Sequence, residues 1–209
     1  MLEANALECV RGGRRLFQGL SFSLARGELL KVSGPNGSGK TSLLRMLCGL
    51  LPPVAGEILW QESDISSLKE NYLKELAYLG HANGIKAELS VFENLLIHGG
   101  LAGARPSEEK IGTVLERMGL GGSEASPAKT LSQGQQRRLA LARLLVGNKP
   151  LWILDEPLTA LDAEAVNLVQ IVLGEHLKGG GLAVLTTHQP LEVTTGRTER
   201  IHLAPVNED

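Results

Sequence analysis

Eight residues constrain this chain more than any others. Gly34-Pro35-Asn36-Gly37-Ser38-Gly39-Lys40-Thr41 fits the pattern G-x-x-x-x-G-K-[ST], which requires a strand before it and a helix after it. Both are legible, because 28–33 reads as a strand and 41–50 as an apolar helix. In such a loop the glycines let the backbone fold into a nest of inward-pointing N–H groups. A lysine in the position of Lys40 reaches β- and γ-phosphates, and a hydroxyl in the position of Thr41 ligates Mg²⁺. The expected ligand is therefore a nucleoside triphosphate with Mg²⁺.

At 209 residues with 43% hydrophobic and 21% charged residues, the chain is long enough for one well-buried domain with an inserted lobe, and too short for two full domains. A net charge of −2 lacks the basic excess that binding a phosphodiester backbone requires, so no nucleic-acid partner is expected. Cys9 and Cys48 stand alone, with neither disulfide nor zinc-ligand spacing, which suits a reducing cytoplasm. The first ten residues hold Glu3 and Glu8 and no basic residue, the wrong charge for a secretory signal. No apolar run approaches the roughly 18 residues a bilayer span needs. Any membrane association is expected to come through a partner.

Short strands are expected over 16–24, 56–60 and 76–79, after which helical patterns take over at 91–99, 107–118 and 132–146, with Gly, Pro and Ser clusters between them. Residues 151–154 and 182–186 are continuous apolar runs, as in strands buried on both faces of a parallel sheet, and a helix is expected over 163–177 between them. The reading is an α/β core over 1–81 and 151–209 with a mainly parallel sheet, interrupted by a helical lobe over 82–150. The polar end, 204–209, is expected to fray.

Two further segments carry chemistry. Leu151-Trp152-Ile153-Leu154-Asp155-Glu156 places two carboxylates at the C-terminal end of a buried strand, where open α/β sheets gather their ligands. Asp155 suits the holding of hydrated Mg²⁺, and Glu156 suits accepting a proton from the attacking water or orienting it. Leu131-Ser132-Gln133-Gly134-Gln135-Gln136 opens a helix as a capping box, Ser132 being the cap and Gln135 the returning side chain. Such a helix start, with free N–H groups and a nearby glycine, is also an anion site. Ser132 and Gly134 could thus grip a γ-phosphate while the box caps the helix.

Taken with Thr159-Ala160-Leu161-Asp162 and Thr187-His188, these segments follow the order and spacing of ABC-type ATPase subunits over nearly the whole chain. The resemblance implies a P-loop NTPase core of ABC type, with an antiparallel β portion near the N-terminus. It also implies that Ser42 and Gln135 belong to the nucleotide site beside the motif residues, and that two subunits pair head to tail. In that pairing the Ser132 segment of one subunit closes over the ATP held by the other. His188 resembles the family's switch histidine, which contacts the γ-phosphate and the position of Glu156. Two positions depart from the pattern. His81 stands where a glutamine is usual, and imidazole is a poor direct ligand for Mg²⁺, so His81 is expected to touch a Mg-bound water or the coupling interface. Arg11 stands where most members carry an adenine-stacking aromatic, and its guanidinium could stack more weakly or be a solvated turn residue.

The finer wording resembles one branch of the family, the ATP-binding subunit of the haem exporter in bacterial cytochrome c maturation. Gly56-Glu57-Ile58-Leu59-Trp60, Gly80-His81, Gly84-Ile85-Lys86, Gln135-Gln136-Arg137-Arg138 and Thr186-Thr187-His188-Gln189-Pro190-Leu191 carry that likeness. It implies a homodimer of ATPase subunits on the cytoplasmic face of the inner membrane beneath a separate integral permease, driving haem export or release of a haem-loaded chaperone. Ile85, Leu89, Val91 and Phe92 are the candidate groove for a permease helix.

Overall fold

The computed structural model describes residues 1–193 and 196–204. The expectation of a frayed end therefore falls, beyond Ala204, outside the described residues. In chain order the elements are β1 (Leu2–Arg11), β2 (Arg14–Leu24), β3 (Leu29–Ser33), α1 (Lys40–Leu47), β4 (Ala55–Trp60), β5 (Ser63–Asp64), α2 (Ile65–Leu68), α3 (Glu70–Leu73) and β6 (Leu76–Leu79). Three longer helices follow, α4 (Val91–Leu101), α5 (Glu108–Arg117) and α6 (Gln133–Gly147). The chain closes with β7 (Leu151–Asp155), α7 (Ala163–Lys178), β8 (Leu182–Thr186) and β9 (Thr198–His202).

Two sheets form. The first is antiparallel, in the order β2-β1-β4-β5, and the second runs β6-β7-β8-β3-β9 with every pairing parallel. Arg11 pairs with Arg14 across the two-residue loop Gly12-Gly13, whose φ values of 57° and 78° are those a type I′ turn demands. Every residue of β7 and β8 is buried, and the pleat sends them alternately to two cores. Leu151, Ile153, Leu182 and Val184 face the core shared with α1 and the antiparallel sheet, while Trp152, Leu154, Ala183 and Leu185 face the core built with α4 to α7. A strand whose two faces are both covered has no need of polar alternation. That is why these segments read as unbroken apolar runs.

The helices α4, α5 and α6 lie between β6 and β7 in sequence and pack on one another. A capping box opens α4, where Ser90 Oγ accepts from the Glu93 N–H at 3.1 Å and Glu93 Oε2 accepts from the Ser90 N–H at 2.8 Å. Buried Asn94 pins the approach to that helix. Its side chain accepts from the Lys86 N–H and donates to the carbonyls of Lys86, Leu89 and Ser90. The groove reading is corrected at Val91, while Leu89 keeps part of its surface exposed. Val91 is fully buried and Ile85 and Phe92 pack against the same core, because at helical spacing Val91 shares the inward stripe with Leu95.

His98 lies half-buried on α4. Burial and the positive charges of Arg143 and Lys149 lower its pKa from 6.5 to about 4. His176 shifts in the same direction, mainly by burial, where it stacks on Trp152 at 3.8 Å between ring centroids. Both histidines stay neutral in the folded chain at pH values where the unfolded chain takes up protons. The contribution of His98 to stability is therefore present above pH 6.5 and is lost as pH falls toward 4, and that of His176 is lost in the same direction. Thermal midpoints measured from pH 7.5 down to 4.5 are expected to fall through this window, and His98→Gln is expected to flatten the decline. An unaltered slope in the variant would count against this account.

Candidate functional site

The phosphate loop is fixed by close approach on both sides. Gly34 has φ of 145°, and a Cβ there would collide with the Leu203 carbonyl oxygen and lie 2.7 Å from Ser38 Oγ. Gly39, at φ of 100°, would set a Cβ 3.1 Å from Leu16 and Phe17 of β2. Only glycine meets both the dihedral and the spacing. Helix α1 then begins at Lys40 with no side chain capping it, so its first N–H groups point into the loop with the positive end of the helix dipole behind them. Lys40 Nζ lies folded over the loop, donating to the carbonyls of Gly34 at 2.7 Å and Pro35 at 3.1 Å.

Both carboxylate oxygens of Asp155 are engaged. Thr41 Oγ1 donates to Oδ2 at 2.9 Å and Thr186 Oγ1 donates to Oδ1 at 2.7 Å, and Asp155 is only 4% exposed. This joins the first turn of α1 to the ends of β7 and β8. Glu156 takes the left-handed conformation, φ 48°, which bends the chain sharply away from β7. Its N–H donates to Thr186 Oγ1 at 2.9 Å. Its Oε1 is buried without a hydrogen-bond partner among the described residues. His188 Nε2 stands 3.5 Å from that oxygen, long for a hydrogen bond yet near enough to share a ligand with it.

Asn36, Gly37, Gly39, Lys40, Thr41, Ser42, His81, Asp155, Glu156 and His188 together line one cleft of about 380 Å³, along with Leu16. Gly34 and Pro35 form the back of the loop through their carbonyls, and Ser38 is buried in it with its hydroxyl unpartnered among the described residues. Arg11 is not in the cleft. It ends β1 at the exposed hairpin, and the residue of that hairpin that lines the cleft is Leu16. Nor do Ser132, Gly134 and Gln135 line it. They form the predicted capping box at the start of α6, with Ser132 Oγ accepting from the Gln135 N–H at 3.2 Å and Gln135 Oε1 accepting from the Ser132 N–H at 2.8 Å. Ser132 is exposed, leaving the first two N–H groups of the helix facing outward.

The fold and this arrangement have clear relatives. The ABC transporter family matches residues 17–159. The chain belongs to that family. Among curated proteins, it is 54% identical over 97% of its length to the cytochrome c biogenesis ATP-binding export protein CcmA of Nitrosospira multiformis, covering 98% of that protein. The protein of the same name from Dechloromonas aromatica is 53% identical, with 97% of this chain and all of that one aligned. The Vibrio cholerae counterpart is 45% identical over 97% and 98%. Among solved structures, a putative ABC transporter ATP-binding protein from Pyrococcus furiosus superimposes with a TM-score of 0.83 at 25% identity, covering 95% of this chain and 96% of that one.

Within this ABC-type chain, three residues that sequence reasoning passed over take part in the site. Thr186 ties Asp155 to the Glu156 backbone, and the lone hydroxyl ending the apolar run 182–186 was its signal. Leu16 contributes an apolar wall, a role that no local pattern announces. Arg137, only 4% exposed, donates to five oxygens around the cleft; standing beside Arg138 in the polar start of the helix, it carried no local signal.

Proposed function

We propose that this chain is the ATP-hydrolysing subunit of a bacterial transporter complex for c-type cytochrome biogenesis, coupling hydrolysis to haem export or to release of a haem-loaded chaperone. The observation that carries the reading is the near-complete, 54% identical alignment with a cytochrome c biogenesis ATP-binding export protein. The site supports the chemistry. Lys40 is free to exchange its two carbonyl acceptors for β- and γ-phosphate oxygens. Thr41 Oγ1 and the Asp155 carboxylate offer the hard oxygen donors Mg²⁺ prefers. When bound, Mg²⁺ neutralises charge on the phosphates. The unpartnered Oε1 of Glu156 is placed to accept a proton from water, and His188 faces the same point. His81 lines the same cleft, where its imidazole would meet a Mg-bound water rather than the ion itself.

The separation of Ser132 and Gly134 from the cleft supports a head-to-tail homodimer in which each subunit completes the other's site. Residues 82–150 serve as the lobe that brings this helix start to the partner, and residues 1–81 and 151–209 as the nucleotide-holding core. No helix among the described residues is long and apolar enough to cross a membrane. The dimer is held at the inner face of the cytoplasmic membrane by an integral permease. Deleting the gene in its own bacterium is expected to abolish c-type cytochromes detected by haem staining, with recovery on re-expression of the wild-type chain. Unchanged cytochrome c in the deletion strain would refute the biological role while leaving the ATPase chemistry standing.

A further inference from the structure

Arg137 sits five residues into α6, counted from Gln133, with 4% of its surface exposed. Burying a guanidinium requires a partner for each of its donors. Here those partners are almost all main-chain oxygens from two loops. Nη2 donates to the carbonyls of Asp155 at 2.9 Å and Glu156 at 2.6 Å, and Nε to that of Pro157 at 3.1 Å. Nη1 donates to the Gly80 carbonyl at 3.3 Å and to Asn83 Oδ1 at 2.9 Å. The Asp155 and Glu156 carboxylates lie close enough to favour its charge, but neither is among its hydrogen-bond partners.

Three consecutive carbonyls, 155 to 157, can converge on one side chain only if the chain turns sharply between them. That turn is Glu156 in its left-handed conformation, which a residue with a Cβ does not favour unaided. Glu156 is gripped at both ends of its backbone, its N–H by Thr186 Oγ1 and its carbonyl by Arg137. Only its side chain is left free, aimed at His188. The same guanidinium holds Gly80, next to the cleft residue His81. We infer that Arg137 is a positioning residue for hydrolysis: it sets the Glu156 carboxylate from the same helix whose start, Ser132 to Gly134, faces the partner in the proposed dimer, so that a shift of α6 shifts the proton acceptor. This inference rests on the assignment of Glu156 as proton acceptor.

Arg138 supplies the control. It donates from the same helix to the carbonyls of Met118 and Gly119, comparable bonds that touch no residue of the cleft. With the full-length chain, kcat and KM for ATP, ATP affinity and thermal midpoint are to be measured for Arg137→Met, Arg137→Lys and Arg138→Ala, each alone and combined with Glu156→Gln. Arg137→Met is expected to lower kcat by about 10- to 100-fold with ATP affinity within about threefold, and Arg137→Lys to recover part of the loss, because an ammonium serves fewer of the five acceptors. Arg138→Ala is expected to lower the thermal midpoint yet hold kcat within about twofold.

In the Glu156→Gln background neither Arg137 variant should lower the residual rate further, since the group it positions is gone. An unchanged kcat in Arg137→Met, or a full additional loss in the Glu156→Gln background, would overturn the inference. Should Arg137→Met fail to fold, the Arg137→Lys cycle decides by the same non-additivity. If Glu156→Gln alone leaves kcat unchanged, it is the proton-acceptor assignment that has failed.

Discussion

Glu156→Gln is expected to lower steady-state ATP turnover by about 10²–10⁴-fold while leaving nucleotide affinity within about threefold. The substitution keeps the shape of the side chain and removes only its capacity to take a proton. None of the bonds that fix this residue in place involves the carboxylate, since the N–H is held by Thr186 Oγ1 and the carbonyl by Arg137. The local structure should therefore survive. Among the described residues Oε1 is buried without a hydrogen-bond partner, and a neutral amide there costs less to bury than a carboxylate, so the thermal midpoint is expected to hold or to rise. Binding measured with a fluorescent ATP analogue and turnover measured by phosphate release would separate the two effects. Equal loss of affinity and rate would point to collapse of the cleft, and an unchanged rate would place proton acceptance elsewhere.

What the sequence made legible follows how local each determinant is. The phosphate loop, the Asp155-Glu156 pair and the Ser132 capping box are runs of adjacent residues whose chemistry depends on their own spacing. The core strands β7 and β8 were legible because burial on both faces leaves an unbroken apolar run. Strand β1 was not, because its alternation is broken where Ala6 adopts a φ of 50° and the register with β2 shifts. One displaced residue reverses the faces beyond it. Strand β9, with the sequence TERIH, has no fully buried residue and reads as a polar segment; only its pairing along β3 makes it a strand.

The site shows the same division. Arg137 looked like one of two basic residues on a helix, and its position against five oxygens depends on where β6 and β7 end in space. Arg11 was read either as standing in for a stacking aromatic or as a solvated turn residue; it is exposed beside the Gly12-Gly13 turn, in keeping with the second, and Leu16, on β2, is the hairpin residue that lines the cleft. The groove reading failed at Val91 for a related reason. Apolar residues after a loop are equally compatible with a docking groove and with the inward stripe of a helix, and Val91 and Leu95 are stacked one turn apart in the core.

Gly134→Asp is expected to cut ATP turnover by about 10²–10³-fold without weakening the fold or the binding of ATP to its own subunit. Gly134 is the second residue of α6, where an added carboxylate gains from the helix dipole, typically by about 0.3–1 kcal/mol. It also gains from replacing glycine within a helix. A Cβ there would sit 3.0 Å from the Ala160 carbonyl oxygen, requiring a shift of a few tenths of an ångström that these gains offset. The carboxylate would stand where the proposed dimer brings a γ-phosphate, and two anions repel strongly in a closed site. Lys40→Ala removes the opposite half, the cation of the phosphate loop. If each site combines the loop of one subunit with the Ser132–Gly134 segment of the other, mixing the two inactive variants creates dimers with one intact site and one doubly damaged site. With random pairing and independent sites, the mixture should recover about one quarter of the wild-type rate. If instead each subunit hydrolysed ATP with its own segment, every site in the mixture would carry one lesion, and no activity would return.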